Sequence, residues 1–364
     1  MTEPLPSPVI TALTQPAAVV SWTAAQWEML VRQARAADLL GRLAALLAER
    51  GLLERVPSAP RAHLIAGQRL AEAQAEEVRR EVGHIGKALA RTGVDVVLLK
   101  GAAYLFAGLP AARGRVFSDI DILVPKKALP EVEAALMLHG WATSHHEPYD
   151  QRYYRRWMHE LPPLQHVSRA TVLDVHHSIA PPTGRLKPDA AKLLDAALPV
   201  NGLPRLKVLS PVDMVVHSAT HLFLNEELSH GLRDLADLDS LLRHFGARAS
   251  FWPELAARAT GLGLARPLYY GLRYAAAMLG TPLPVEAVKP AAKPAFGIEA
   301  LMDALFLRAL QPDHPSAADW LTPLARWALY VRAHWLRMPP LLLVRHLAVK
   351  AWRRTARPVA QQAP

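Results

Sequence analysis

The spacing of apolar residues changes twice along this chain, and these changes constrain the fold more than any other sequence feature. Residues 22–50 and 61–92 place apolar side chains at helical intervals, and helical intervals return beyond residue 211. Between them, residues 94–180 contain short β-branched runs that are typical of buried strands. The sequence therefore predicts an α/β (α+β) fold, in which a small mixed β-sheet core is flanked by N- and C-terminal helical regions.

Composition shifts and proline- or glycine-rich segments suggest where these regions meet. They predict an N-terminal helical region over 1–92, a core over 93–200, a C-terminal helical domain over 201–310 and a basic, aromatic-rich tail over 311–364. A chain with 51% hydrophobic and 20% charged residues is too apolar to be disordered. Because it has no cysteine, disulfide scaffolds, thiolate zinc sites and cysteine nucleophiles are excluded.

Five segments of the middle region are candidate strands. The clearest is a β-branched run that is followed by a short helix, and the next is an apolar run that ends before a proline. In chain order, the candidate strands cover residues 94–99, 117–124, 141–143, 153–157 and 171–179. Helices are expected over residues 127–139, 212–224, 232–245, 252–262 and 267–279.

Two aspartates occupy alternate positions of the second candidate strand. Successive strand side chains point to opposite faces, so Asp119 and Asp121 share one face while Ile120 and Ile122 face the core. Neighbouring carboxylates repel each other unless solvent or a cation separates them. Because hard divalent cations prefer carboxylate oxygens, the pair favours a site for Mg²⁺ or Mn²⁺ with two ions, whereas the alternative is a solvated strand end.

A third carboxylate lies on the last candidate strand of the core. Asp174 points away from the apolar residues beside it, so it would join the first two aspartates if the two strands are neighbours. The alternative for Asp174 is a structural salt bridge. His176 shares the face of Asp174 and is either a residue that lines the substrate site or a packed core histidine.

A glycine follows the first candidate strand. Gly101 begins a helix, where backbone N–H groups favour a phosphate and the missing side chain allows close approach. Lys100 and Arg115 can add positive charge near the same phosphates, or they can form ordinary salt bridges. The segment therefore predicts a phosphate-binding turn beside the paired aspartates.

This order of elements resembles the DNA polymerase β-like nucleotidyltransferase superfamily, in which strand, glycine and short helix precede Asp-x-Asp and a single later Asp. The closer resemblance is to uncharacterised bacterial nucleotidyltransferases with Lys-Gly, then Arg-x-x-Ser-Asp-x-Asp-x-Leu-Val, then Asp-x-His. In this chain these motifs are Lys100-Gly101, residues 115–124 and residues 174–176. The downstream helices carrying His217, His221 and residues 232–237 are similar as well.

The resemblance implies metal-dependent transfer of a nucleoside monophosphate from an NTP to an unidentified acceptor (a small molecule, a glycan or a peptide), with release of pyrophosphate. It implies that Asp119 and Asp121 bind both ions, and that Asp174 binds the catalytic ion and helps to deprotonate the acceptor hydroxyl. The candidate nucleotide-binding residues are Lys100, Gly101, Arg115 and Ser118.

One departure from the superfamily pattern keeps a non-enzymatic alternative open. The phosphate turn usually continues with serine or glycine, whereas here Ala102 follows the glycine and supplies no hydroxyl. A catalytically degenerate protein that binds nucleotide as a scaffold or regulator is therefore one alternative. The other is a nucleotidyltransferase that modifies protein side chains.

Two pairs on the downstream helices have helical spacing. His217 and His221 are four residues apart, as in some zinc sites, but no third ligand is evident, so a structural or substrate-lining role is favoured. Arg233 and Asp237 are also four residues apart. An intrahelical salt bridge is the favoured interpretation of that pair, and the family resemblance adds a place in the cleft.

The net charge of +10 is concentrated at the C-terminus. Residues 320–364 contain eight basic and no acidic side chains, interleaved with tryptophans and leucines, which suggests contact with an anionic membrane surface. The alternative is a last helix pair that packs on the body with its basic residues outward. The remaining +2 leaves a nearly neutral body, which disfavours nucleic acid as a partner. No secretory signal or membrane-spanning run is evident, so the predicted location is cytoplasmic, including the inner membrane face.

Overall fold

The computed structural model describes residues 7–143, 147–284, 287, 293–339 and 341–343. The end of the predicted basic tail therefore lies outside the described residues. None of the helices in the described ranges is both long and apolar enough to cross a bilayer.

Helices form both flanks of the chain and strands form its middle, as the apolar spacing predicts. The described helices are α1 Pro8–Thr14, α2 Ala24–Ala36, α3 Leu40–Glu49, α4 Ser58–Leu89, α5 Lys100–Phe106, α6 Leu129–Leu138, α7 Pro148–Trp157, α8 Ala190–Asp195, α9 Pro211–Leu224, α10 Gly231–Phe245, α11 Phe251–Gly261, α12 Ala265–Leu279, α13 Phe296–Ala309 and α14 Thr322–Arg337. The strands are β1 Val96–Leu98, β2 Ile120–Leu123, β3 Trp141–Thr143, β4 Leu164–His166, β5 Val172–His176, β6 Leu198–Pro199 and β7 Leu206–Val208.

The seven strands form one mixed sheet in the order β3-β4-β5-β2-β1-β7-β6. The central strand β2 pairs in parallel with β5 and antiparallel with β1, and β1 pairs in parallel with β7. All four residues of β2 are buried, because helices and the neighbouring strands cover both of its faces. This mixed sheet with flanking helices confirms the predicted fold class. Strand β7 belongs to the same sheet but lies beyond residue 200, which is the predicted end of the core.

The candidate strand over 153–157 is wrong, because these residues form the end of α7. Pro148 occupies the first turn of that helix, where a proline is well accommodated. Tyr153 and Trp157, four residues apart, pack edge to face with ring centroids 6.0 Å apart. Aromatic residues favour a strand when a neighbouring strand packs against them. Here the aromatic residues contact each other across one helical turn, and this contact favours the helix.

The long helix expected over 22–50 is divided into α2 and α3. Thr23 caps α2 as predicted, since its hydroxyl accepts a hydrogen bond from the Gln26 N–H. The break lies at Asp38, whose φ is +55°, a left-handed conformation that aspartate tolerates better than most residues. Apolar spacing alone does not detect such a break, because buried alanines and leucines continue on both sides of Asp38.

Candidate active site

Asp121 on β2 and Asp174 on β5 lie side by side at the centre of the sheet. The two strands are parallel, and their register pairs Asp121 directly with Asp174. The expectation that Asp174 lies on a strand beside the Asp-x-Asp strand is therefore confirmed. Residues paired across neighbouring strands point to the same face, so both carboxylates project from one face of the sheet.

Asp121 is buried and has two hydrogen-bonding partners, Lys100 and His176. Its Oδ1 accepts a hydrogen bond from Lys100 Nζ at 2.7 Å and lies 3.0 Å from His176 Nε2. Burial by itself would raise the pKa of Asp121, but the Lys100 ammonium and the His176 hydrogen bond hold that pKa well below its ordinary value. Asp121 is therefore ionised.

Asp174 has the opposite environment. Its Oδ1 is buried and has no hydrogen-bond partner among the described residues. Burial, and then the neighbouring charges of Asp121 and Glu160, raise the pKa of Asp174 to about 7. A carboxylate pair with one orphaned oxygen is the arrangement that a bound divalent cation completes, since the cation lets both groups ionise. Ligand atoms of Asp121, Asp174 and His176 lie within 4.8 Å of one another, so these residues fit a metal ion.

Asp119 lies at the edge of this cluster. It is partly buried, and its Oδ1 accepts a hydrogen bond from the exposed Ser118 hydroxyl at 2.8 Å. Asp119 is outside the group of three close ligand atoms. Its charge nevertheless reaches the cluster, because it helps to raise the pKa of both Lys100 and Asp174.

The turn after β1 brings Lys100 to the carboxylates. The Leu99 N–H donates to the Asp121 carbonyl at 2.9 Å, so the turn starts beside β2. Lys100 adopts φ +45°, a conformation that costs a residue with a side chain on the order of 1–3 kcal/mol. At Gly101 a side chain has no room, because its Cβ would collide with the Arg115 guanidinium and meet the Phe117 ring.

Arg115 is held by a buried ion cluster that also contains Arg42 and Asp237. Arg115 Nε donates to Asp237 Oδ2 at 2.8 Å, and Arg42 Nη2 is paired with Asp237 Oδ1. This cluster links α3, the loop before β2 and α10 directly behind Gly101. Arg115 thus lies against the turn that carries Lys100.

The sequence model of a family described as uncharacterised nucleotidyltransferases matches residues 23–280. The chain belongs to this family. It is therefore a nucleotidyltransferase, a transferase of phosphorus-containing groups, and the matched range contains the whole cluster described above. No curated protein and no solved structure shows significant similarity to the chain.

Two histidines of α9 face the nucleotidyltransferase cluster. His217 is buried, and burial followed by the charge of Lys100 lowers its pKa to about 3. Burial and Lys100 likewise hold the pKa of His221 well below the ordinary value. Both rings are therefore neutral at pH 7. Neither belongs to a metal-compatible group among the described residues, and their substrate-lining role stays a prediction.

The intrahelical salt bridge predicted between Arg233 and Asp237 is not formed. Arg233 pairs with Asp234 at 3.1 Å and with Asp38 at 3.6 Å. Arginines from outside the helix occupy both oxygens of Asp237. Helical spacing predicts only which side chains on one helix are neighbours, and tertiary partners compete for the buried one.

Sequence reasoning missed two residues, His159 and Glu160, that contact this cluster through His176. Glu160 Oε2 lies 3.1 Å from His176 Nδ1, and the His159 ring is stacked at an angle on the His176 ring with centroids 5.2 Å apart. They belong to no apolar repeat or motif. Only their pairing with β5 identifies them, through an isolated antiparallel bridge between Glu160 and His176.

Proposed function

We propose that this nucleotidyltransferase moves a nucleoside monophosphate from an NTP to an acceptor group and releases pyrophosphate in a reaction that needs a divalent cation. The observation that carries the proposal is the pairing of Asp121 with Asp174, whose buried Oδ1 has no hydrogen-bond partner within the described ranges. Family membership supports the NTP as substrate. The acceptor is a small molecule, a glycan or a peptide.

Asp121 and Asp174 would hold the cation, Mg²⁺ or Mn²⁺, and Asp119 at the edge of the cluster would complete a site for a second ion. When bound, such ions neutralise phosphate charge and polarise the reacting oxygens. The donor set fits because it is dominated by carboxylate oxygens, which hard cations prefer.

The chain's own side chains have separate tasks in this proposal. Asp174 would hold the cation through its buried Oδ1, and its other carboxylate oxygen would accept the acceptor's hydroxyl proton. Lys100 supplies positive charge beside Asp121, where a triphosphate would bring negative charge. Gly101, Arg115 and Ser118 would border the nucleotide, and the neutral His217 and His221 would face the acceptor.

The two alternatives make different demands on this site. A degenerate scaffold needs nucleotide binding without turnover, and the missing hydroxyl of Ala102 favours it, although Ala102 is buried. Modification of proteins needs the same chemistry with a polypeptide acceptor. The two alternatives therefore differ from the main proposal in turnover and in the fate of the nucleotide.

Incubation with each of the four NTPs and Mg²⁺ is expected to release pyrophosphate, because the reaction breaks the bond between the α- and β-phosphates. Label on the α-phosphate is expected to enter the acceptor, and label on the γ-phosphate to leave with pyrophosphate. Chelation of the cation should stop both. Nucleotide binding without pyrophosphate release from any NTP, with extracts as the source of acceptor, would overturn the enzymatic proposal and favour the scaffold.

A second proposal, contact with an anionic membrane surface, rests on the exposed face of α14. Trp327 and Trp335 are 62% and 47% exposed, and Leu324 and Val331 lie between or beside them on the same face. Tryptophan favours the interface between lipid and water. The basic residues near the end of the chain, which lie outside the described residues, would supply charge complementary to the lipid headgroups.

Replacing both Trp327 and Trp335 with serine is expected to weaken binding of the full chain to vesicles of phosphatidylcholine mixed with phosphatidylglycerol by about tenfold or more, since each side chain loses apolar burial worth roughly 1.5–3 kcal/mol. Co-sedimentation measures this. The matched control is Leu138→Ser, which removes an exposed apolar side chain on α6. Equal sedimentation of wild type and double variant would contradict the proposal.

A further inference from the structure

We propose a second metal site, for a borderline transition-metal ion such as Zn²⁺, formed by His159, Glu160 and His176. Its donors are two imidazoles and one carboxylate, a set that suits Zn²⁺ and related ions rather than Mg²⁺. The site does not depend on the proposed nucleotidyl transfer, because neither Asp121 nor Asp174 is one of its ligands, and it shares only His176 with their group.

The three side chains converge closely enough for one ion. Glu160 Oε2 lies 3.1 Å from His176 Nδ1 and 4.0 Å from His159 Nε2. One ligand atom from each residue can be chosen so that all three lie within 4.8 Å of one another. Zinc bonds are about 2.0–2.2 Å long, so two ligand atoms bound to one zinc ion lie less than 4.8 Å apart. The three side chains therefore need to move only slightly to bind one ion.

The backbone holds these ligands in place. The His177 N–H donates to the His159 carbonyl at 2.8 Å, and the Leu161 N–H donates to the Val175 carbonyl at 2.9 Å. These two bonds lie on either side of the bridge between Glu160 and His176. The segment is therefore fastened to β5 at every residue of the cluster, which is the rigidity that a metal site requires.

One atom of the cluster lacks a partner. His159 Nδ1 is buried and makes no hydrogen bond to any described residue. Buried ring nitrogens are normally satisfied. Here no described residue fixes the tautomer of His159, so its Nε2, 4.0 Å from Glu160 Oε2, can be the unprotonated nitrogen that binds an ion. The His159 side chain is only 14% exposed, which leaves little access to solvent.

Asp121 contacts one ligand of this site, His176, and fixes the orientation of its ring. His176 Nε2 lies 3.0 Å from Asp121 Oδ1, so the Nε2–H can donate there while Nδ1 remains available to a metal. A metal-bound histidine whose other nitrogen donates to a carboxylate is the usual arrangement in zinc proteins. Asp121 belongs to the carboxylate pair and contacts the proposed site through His176. A metal ion bound to His176 would therefore also orient Asp121.

Cobalt provides the test, because Co²⁺ bound by imidazole and carboxylate absorbs visible light. The full-length protein, freed of metal and titrated with Co²⁺ in excess Mg²⁺ without nucleotide, is expected to bind one equivalent with a visible band that Zn²⁺ removes. His159→Gln is expected to weaken Co²⁺ binding by more than about 100-fold, beyond the roughly 10–100-fold effect of losing an outer-shell partner. The matched control His177→Gln, a buried neighbour outside the cluster, should retain it.

Further results of this titration decide the proposal. If His159→Gln does not fold, as judged by circular dichroism, Glu160→Gln serves as the second ligand variant. Any one of three results would overturn the proposal. The Co²⁺ band is lost in Asp174→Asn, or excess Mg²⁺ displaces the Co²⁺, or both ligand variants bind Co²⁺ as the wild type does. Retention of the band in Asp174→Asn supports it even if no nucleotidyl transfer is found, so the failures of the two proposals are distinguishable.

Discussion

The Asp174→Asn variant is expected to lose at least about 10³-fold in the rate of pyrophosphate release, roughly 4 kcal/mol in activation free energy, while its fold becomes more stable. The activity falls because asparagine neither binds a divalent cation as a carboxylate does nor accepts a proton. The stability rises because the variant removes a buried carboxyl that lies beside ionised Asp121 and has an unpartnered oxygen.

The pH dependence of this gain follows from the pKa of Asp174, which is about 7 in the folded chain against an ordinary value of 3.8. Between these values the unfolded chain has released the proton that the folded chain retains, so the carboxyl destabilises the fold increasingly as the pH rises. The gain on substitution should grow from pH 4 to pH 7, reach on the order of 4 kcal/mol, and level off above that.

Urea unfolding across this pH range, with and without Mg²⁺, measures both effects. Mg²⁺ should stabilise the wild type and not the variant, since it binds only the folded carboxylate pair. The matched control is Asp95→Asn, an exposed carboxylate before β1 paired with Lys207, which should change neither rate nor stability appreciably. Loss of stability together with full activity in Asp174→Asn would contradict the assigned role.

Asp237→Asn is expected to destabilise the fold by about 3–5 kcal/mol, the largest effect on stability that we predict for a single substitution. The carboxylate is 3% exposed and pairs with both Arg42 and Arg115. Its neutralisation removes the carboxylate with which both buried guanidinium groups form their ion pairs. Because Arg115 packs on Gly101, the turn carrying Lys100 should loosen as well.

Chemical denaturation gives the size of this effect, and an exposed ion pair gives its control. Glu254→Gln removes a partner of Arg248, where both side chains are more than half exposed, and should cost less than about 1 kcal/mol. The double variant Asp237→Asn with Arg42→Met should regain part of the lost stability, since only one buried charge then remains unpaired. Equal effects of Asp237→Asn and Glu254→Gln would show that the buried cluster is not structural.

Local sequence patterns were sufficient for the larger elements. Apolar spacing located the helices from α9 to α12, and β-branched runs located β1, β2 and β5. The short strands β4, β6 and β7 have two or three residues each, too few to show a period of two, and they exist because neighbouring strands supply hydrogen-bond partners. The prediction of a strand at Tyr153 was wrong for the same reason, because a strand depends on its partners and these residues form a helix.

The sequence by itself determined the mixed sheet flanked by helices, the family, and the aspartates, lysine and glycine at which to look, because each rests on side-chain order along one segment. Tertiary structure alone decided that Asp121 and Asp174 are paired and that His159 and Glu160 join them at His176. It also decided that Asp237 pairs with Arg42 and Arg115 rather than with Arg233. Such contacts join residues far apart in the chain, and burial and charge select among partners that no local spacing can rank.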